Sequence, residues 1–218
     1  MFTGIIQAVG YVQSMQKNST DCRIQINTGK LDMNSVSLGD SIAVSGVCLT
    51  VIEFDTQSFS ADVSNETLSK TTLGDLSTKQ SVNLEKALTL STPLGGHLVS
   101  GHVDGVGIVK NRFSEGNSER FEIETPKELT KYIAQKGSVC VDGISLTVNA
   151  VDGQLFELNI VPHTLSETTM GQYGVGQRLN LEVDLLARYI EKLMLDNNDK
   201  RNSSAISESL LQENGFIK

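Results

Sequence analysis

A chain of 218 residues with 26 acidic against 18 basic side chains carries a formal net charge of −8. No Lys/Arg cluster breaks that pattern, which excludes nucleic acid or an anionic membrane surface as the main partner. No apolar run approaches the roughly 18 residues of a membrane span, and Met1 opens no basic-then-apolar secretory signal, so the expected location is cytoplasmic. Cys22, Cys48 and Cys140 are odd in number and lack C-x-x-C spacing, so neither a disulfide framework nor a metal site is expected.

From the N-terminus, segments 5–14, 22–28, 41–45, 47–54 and 57–63 are rich in Val, Ile, Phe and Thr with partial alternation. Gly, Asn and Asp punctuate them, so they are predicted as strands. A short helix is predicted to open near Asn65-Glu66-Thr67. Then the chain repeats itself without a gap at an offset of 97 residues. Gly4 to Val12 lies on Gly101 to Val109, Ser41 to Val51 on Ser138 to Val148, Thr67 to Gly74 on Thr164 to Gly171, and Val82-Asn-Leu-Glu85 on Leu179-Asn-Leu-Glu182. That period far exceeds a solenoid unit of about 20 to 50 residues, so the repeat is a duplicated domain. The partner of the first short helix falls near Pro162-His163-Thr164.

About six short strands per copy predict an all-β protein: two tandem homologous six-stranded Greek-key β-barrels followed by a C-terminal α-helix. The barrels are expected over 1–97 and 98–184, with a helix and polar tail over 185–218. Leu185, Leu186, Tyr189, Ile190, Leu193 and Met194 form an apolar stripe at helical spacing. Such a stripe packs on its own barrel or on copies of itself. Residues 196–204 are expected to be a polar linker or disordered, with a further short helix around Ile206, Leu210 and Leu211.

The two copies can be read against each other. The divergent pairs include Ile5 with His102, Ser45 with Asp142, Cys48 with Ser145, and Glu66 with His163. Cys48 and Ser145 occupy one frame, each two residues before a threonine on the same strand face, Thr50 and Thr147. A free cysteine is ordinarily a small buried hydrophobe and a lone histidine ordinarily structural. Cys22 and Cys140 are read as core. Pattern alone therefore stops at a duplicated barrel that binds two related small ligands in matched pockets.

The stretches Met1-Phe-Thr-Gly-Ile5, Ser45 to Val51, Gly95-Gly-His-Leu-Val-Ser-Gly-His102 and Asp142 to Val148 closely resemble the riboflavin synthase family, α-chain type. Asp184 to Tyr189 and Glu213 to Ile217 extend the resemblance over the whole chain. It implies a transferase of riboflavin biosynthesis that works without cofactor or metal. Two molecules of 6,7-dimethyl-8-ribityllumazine would react, a four-carbon unit passing between them to give riboflavin and 5-amino-6-ribitylaminouracil. It also implies a homotrimer held by the C-terminal helices, with each active site between barrels of neighbouring subunits. Lumazine synthase is a further partner to test.

By the same resemblance Cys48, Ser145 and His102 are the candidate catalytic residues. Cys48 and Ser145 would act near C7 of the two rings, and His102 would carry protons. Candidate substrate contacts in the first copy are Gly4, Ile5, Ile6, Cys48, Leu49, Thr50, Asp62, Val63, Ser64, Asn65, Glu66 and Thr67. In the second they are Gly101, His102, Val103, Lys136, Ser145, Leu146, Thr147, Asn159, Ile160, Val161, Pro162, His163 and Thr164. Thr50 and Thr147 would hydrogen-bond ring edges, and Lys136 would contact the ribityl chain or ring. His163 stands where family members commonly carry Glu, and Ser45 where Asn is common. The rival expectation is a non-catalytic lumazine or flavin carrier of the same fold.

Overall fold

The computed structural model describes residues 1–17, 21–203, 212 and 214–216. The first copy supplies strands β1 (Ala8–Lys17), β2 (Asp21–Asn27), β3 (Ser41–Val44), β4 (Val47–Thr50), β5 (Glu53–Phe54) and β6 (Ser58–Ser64), helix α1 (Asn65–Lys70) and strand β7 (Ser81–Lys86). The second supplies β8 (Gly105–Glu115), β9 (Ser118–Glu124), β10 (Ser138–Val141), β11 (Ile144–Asp152), β12 (Leu155–Ile160), α2 (Pro162–Glu167) and β13 (Arg178–Val183). Alternation sets the inward faces: in β2, Cys22, Ile24 and Ile26 are all fully buried while the residues between them are not. Ser64 caps α1 by accepting from the Thr67 amide at 3.1 Å. Pro162, which has no amide hydrogen to leave unsatisfied, opens α2.

The second copy closes into a barrel in the order β10-β11-β12-β9-β8-β13. The first has the same neighbours, β4-β3-β7-β1-β2-β6-β5, with β4 and β5 standing where β11 runs unbroken. The single strand expected over 47–54 is thus split at Val51–Ile52, which leaves a half-barrel sheet. Val51 is held by the turn before β3: its amide donates to Asp40 O (2.8 Å) and its carbonyl accepts from Gly39 N (2.9 Å). In the second copy the same place is a bulge between Val148 and Ala150.

The strand expected from residue 5 begins only at Ala8, because the preceding residues leave their own copy. Phe2 and Val99 form an antiparallel bridge, N···O 2.7 and 3.1 Å, and bury a small cluster with Ala43 and Cys140. Beyond it, Ile6 packs against the core of the second copy and Val103 against that of the first. Phe2 with Val99, Ala43 with Cys140, and Ile6 with Val103 are repeat partners, so the crossing has approximate twofold symmetry. Cys22 and Cys140 are core residues, and burial pushes both thiols up.

The segment from Leu185 onward forms a separate unit. Its helix α3 (Leu185–Ser203) covers 196–203 of the stretch expected to be a polar linker, whose last residue lies outside the described residues. No Gly or Pro interrupts 185–203, and the charged and amide side chains there tolerate helix. Leu186, Tyr189, Ile190, Leu193 and Met194 are each more than half exposed. The short helix expected around Ile206, Leu210 and Leu211 lies outside the described residues. Among the described residues, no helix is long and apolar enough to cross a membrane.

Candidate active site

Cys48 sits on β4, partly exposed, and its amide donates to Gly101 O at 2.9 Å. Gly101 has φ +83°, and a Cβ there would lie 2.6 Å from the Cys48 Cβ, so both backbone and space demand glycine. Around the pair opens a cavity of about 220 Å³ lined by Val47, Cys48, Glu66, Thr67, Lys70, Thr71, Gly101, His102 and Val103. The second copy repeats the arrangement with the leading segment of the first. Ser145, on β11, donates its amide to Gly4 O at 2.8 Å. Gly4 has φ +75°, and its missing Cβ would lie 2.6 Å from the Ser145 Cβ. That cavity, about 300 Å³, is lined by Ser145, Leu146, Thr147, Asn149, Asn159, Ile160, Val161 and Thr164. Each copy therefore builds the body of one pocket, and the other copy's leading segment packs on its central residue: Gly101 to Val103 line the first cavity, whereas Gly4 backs Ser145 without lining the second.

His97 does not line the second cavity but backs its central residue, Ser145. Its Nδ1 lies 2.7 Å from Ser145 Oγ, and its Nε2 is buried without a partner. Burial lowers the imidazole pKa, against the opposing charge of Asp184, so the ring is neutral near pH 7. With the proton on Nε2, Nδ1 accepts the Ser145 hydroxyl, the arrangement of a general base on a nucleophile. His97 stands in the linker between the repeat blocks, where comparison of the copies has nothing to pair it with. Lys70 and Asn149 line the cavities and were not expected to; Asn149 marks the bulge, and its Oδ1 accepts from Asn159 N at 2.9 Å.

Other expected contacts are placed less directly. Leu49 and Val63 turn their side chains into the barrel core, 4% and 2% exposed, because alternate strand residues face inward. Only their backbone can border a ligand. Asp62 is held outside by Arg23, at 2.8 and 3.1 Å. Ser64 and Asn65 are taken up by the start of α1. Thr50 is exposed at the end of β4, Ile5 is half-exposed, and Pro162 and His163 are exposed on α2. Lys136 is exposed at φ +66°, at the position where the first copy has Gly39 at +90°. None of these lines either cavity.

Asp142, the divergent partner of Ser45, faces away from both cavities into the contact between the copies. Its carboxylate accepts from Tyr173 OH at 2.5 Å and from Asn180 N at 2.8 Å. Burial pushes its pKa up to about 7 against those hydrogen bonds. Asn83 and Asn180 cross the contact in reciprocal fashion, donating to Asp142 O (2.9 Å) and Ser45 O (2.8 Å). Among the described residues no group of three or more His, Cys, Asp or Glu is placed to hold a metal ion.

The family model for the lumazine binding domain matches twice, over residues 3–87 and 100–184. The class is thus a tandem lumazine-binding-domain protein. Over 100% of both chains the sequence is 48% identical to riboflavin synthase of Photobacterium phosphoreum. It is 38% identical to riboflavin synthase of Bacillus subtilis, covering 99% of this chain and 100% of that one. LumP, solved in complex with 6,7-dimethyl-8-(1'-D-ribityl) lumazine, is similar with TM-score 0.76 and 26% identity, covering 84% of this chain and 99% of LumP. Its riboflavin complex gives 0.77 at 28% identity over the same shares. The chain belongs to the riboflavin synthase family.

Proposed function

We propose that this protein is a riboflavin synthase that converts two molecules of 6,7-dimethyl-8-ribityllumazine into riboflavin and 5-amino-6-ribitylaminouracil. The observation that carries the reading is the pair of matched pockets, one centred on Cys48 beside His102 and the other on Ser145 beside His97. Two like substrates need two like sites, whereas donor and acceptor need different chemistry at each. Atoms and electrons balance within the two substrates, since one gives the four carbons that the other receives.

The C7 methyl of the lumazine is acidic because its carbanion delocalises into the ring. The protein's main task is to stack and orient the pair, worth up to roughly 7–11 kcal/mol in well-aligned systems. Cys48 acts near C7 of one ring as nucleophile or polarising partner, Ser145 does the equivalent for the other with His97 as base, and His102 carries protons. Thr147 bonds a ring edge in the second pocket, and Thr50, exposed at the end of β4 outside the first cavity, is its repeat counterpart. Lys136 reaches the ribityl chain from the rim.

The two cavities share no lining residue, and each is built on a different copy. That supports a homotrimer in which the first-copy pocket of one subunit meets the second-copy pocket of its neighbour, with the exposed stripe of α3 as the contact. The same reading places the protein in the cytoplasm, with lumazine synthase as a partner to test. The likeness to LumP favours a carrier as the second reading; the polar groups kept in both pockets speak against it. Purified protein mixed with 6,7-dimethyl-8-ribityllumazine alone should form one riboflavin per two substrates. Tight binding without turnover would make it a carrier.

A further inference from the structure

The repeat motif that ends each copy, Asn-Leu-Glu, closes on two buried carboxylates that the chemistry above does not use. Glu85 Oε1 accepts from Thr3 N (2.7 Å) and Thr3 Oγ1 (2.6 Å), and its Oε2 from Gly4 N (2.9 Å). Glu182 repeats the pattern on Ser100 N (2.6 Å), Ser100 Oγ (2.7 Å) and Gly101 N (2.9 Å). They are 2% and 4% exposed. Burying a carboxylate is costly unless hydrogen bonds compensate it, and charge-assisted bonds of this kind are strong enough to fix the groups that donate them.

What each holds is the segment that crosses to the other copy. Gly101 donates its amide to Glu182, and its carbonyl accepts from the Cys48 amide. Ser100 gives its hydroxyl to Glu182 and accepts the His102 amide at 3.2 Å. Gly4 and Thr3 do the same between Glu85, Ser145 and Ile5. One glycine residue thus separates each carboxylate from the residue at the centre of a pocket, and that pocket belongs to the opposite copy.

We propose that Glu85 and Glu182 are positioning residues that act crosswise, Glu85 of the first copy setting the Ser145 pocket and Glu182 of the second setting the Cys48 pocket. The inference rests on reading the two cavities as the substrate pockets. Glutamine keeps the shape but presents one acceptor oxygen and one amide. Whichever way it turns, an N–H of the crossing segment faces another donor.

Cys48 is the natural reporter on its pocket, because Cys22 and Cys140 are at most 1% exposed and burial raises both their thiols. His97 reports on the other through its imidazole NMR signal, one of three in the chain. In the full-length protein, Glu182→Gln should speed alkylation of Cys48 by iodoacetamide about tenfold, since charge-assisted hydrogen bonds are lost. It should leave the His97 signal in place. Glu85→Gln should shift the His97 signal and leave Cys48 alkylation at the wild-type rate. Equal effects of both variants on both reporters, or no effect on either, would overturn the proposal. Should a glutamine variant fail to fold, Ser100→Ala and Thr3→Val remove only the hydroxyl links and should give the same crossed pattern at smaller size. Neither reporter needs turnover, so a wild-type protein that makes no riboflavin would refute the synthase reading and leave the crossed pattern to be judged separately.

Discussion

Replacing Gly101 by Ala tests the close approach on which the Cys48 pocket depends. At φ +83° an alanine carries the left-handed penalty of about 1–2 kcal/mol. Its Cβ would also lie 2.6 Å from Cys48 Cβ and 2.8 Å from the Phe2 ring, an overpacking that costs about 1–3 kcal/mol more. The sum is roughly 2–5 kcal/mol. Gly39 supplies the control, with φ +90° and nothing within 4 Å of the added Cβ. Gly39→Ala should therefore show the conformational part alone. Urea unfolding of the two variants beside wild type, read with riboflavin formation, separates the contributions. Gly101→Ala should be less stable than Gly39→Ala by about 1–3 kcal/mol and lose most turnover. If the two variants unfold alike and both turn over normally, the crossing segment does not set the pocket as described.

Four further outcomes follow from the same geometry. Asp142 has a folded pKa of about 7 against about 3.9 unfolded. Its contribution to stability is therefore fully present below about pH 4 and is lost as pH rises through 7, by at most roughly 4 kcal/mol. Glu85 and Glu182, also raised by burial, tilt wild type and variant alike. Urea melts of wild type minus Asp142→Asn should thus fall between pH 4 and 7, and a flat difference would refute the assignment. His97→Gln and Ser145→Ala should each slow turnover by roughly 10², and the double variant should be little worse than either; additive losses would separate the pair. Cys48→Ala should slow riboflavin formation by a similar factor, roughly 10², and wild-type rates would return Cys48 to a packing role. A chain ending at Asp184 should sediment as a monomer, while an unchanged trimer would remove α3 from the interface.

Much of this arrangement is written in the repeat. The offset of 97 located both copies, the Cys48/Ser145 frame and the two glycines that pass over it. What the repeat could not convey is direction: residues 1–6 and 98–103 look alike whether they serve their own copy or the other. Gly4 to Ile6 also has the composition of a strand, and only the buried sites waiting in the opposite copy draw it away. The break at Val51–Ile52 is invisible to local propensity: the second copy makes the same pair of turn hydrogen bonds at Val148, and its strand runs on through a bulge. His97 escaped because it lies between the aligned blocks. Lys136 enters by resemblance alone, and its alignment with Gly39 marks a left-handed turn rather than a pocket wall. The polar stretch after Leu195 was misjudged because composition weighs solvation and overlooks a helix that continues for want of a breaker.

The exchanged segments also impose an order on synthesis. As the chain leaves the ribosome, the first sheet can assemble once β7 has emerged, but residues 4–6 have no seat until Ser145 follows. At about 5–20 residues per second, that interval is on the order of ten seconds. During it the Phe2 side chain is left without Cys140, and at first without Val99, which complete the cluster that buries it. The first half of the molecule is thus a foldable but unfinished object, protected only by how quickly the second half arrives.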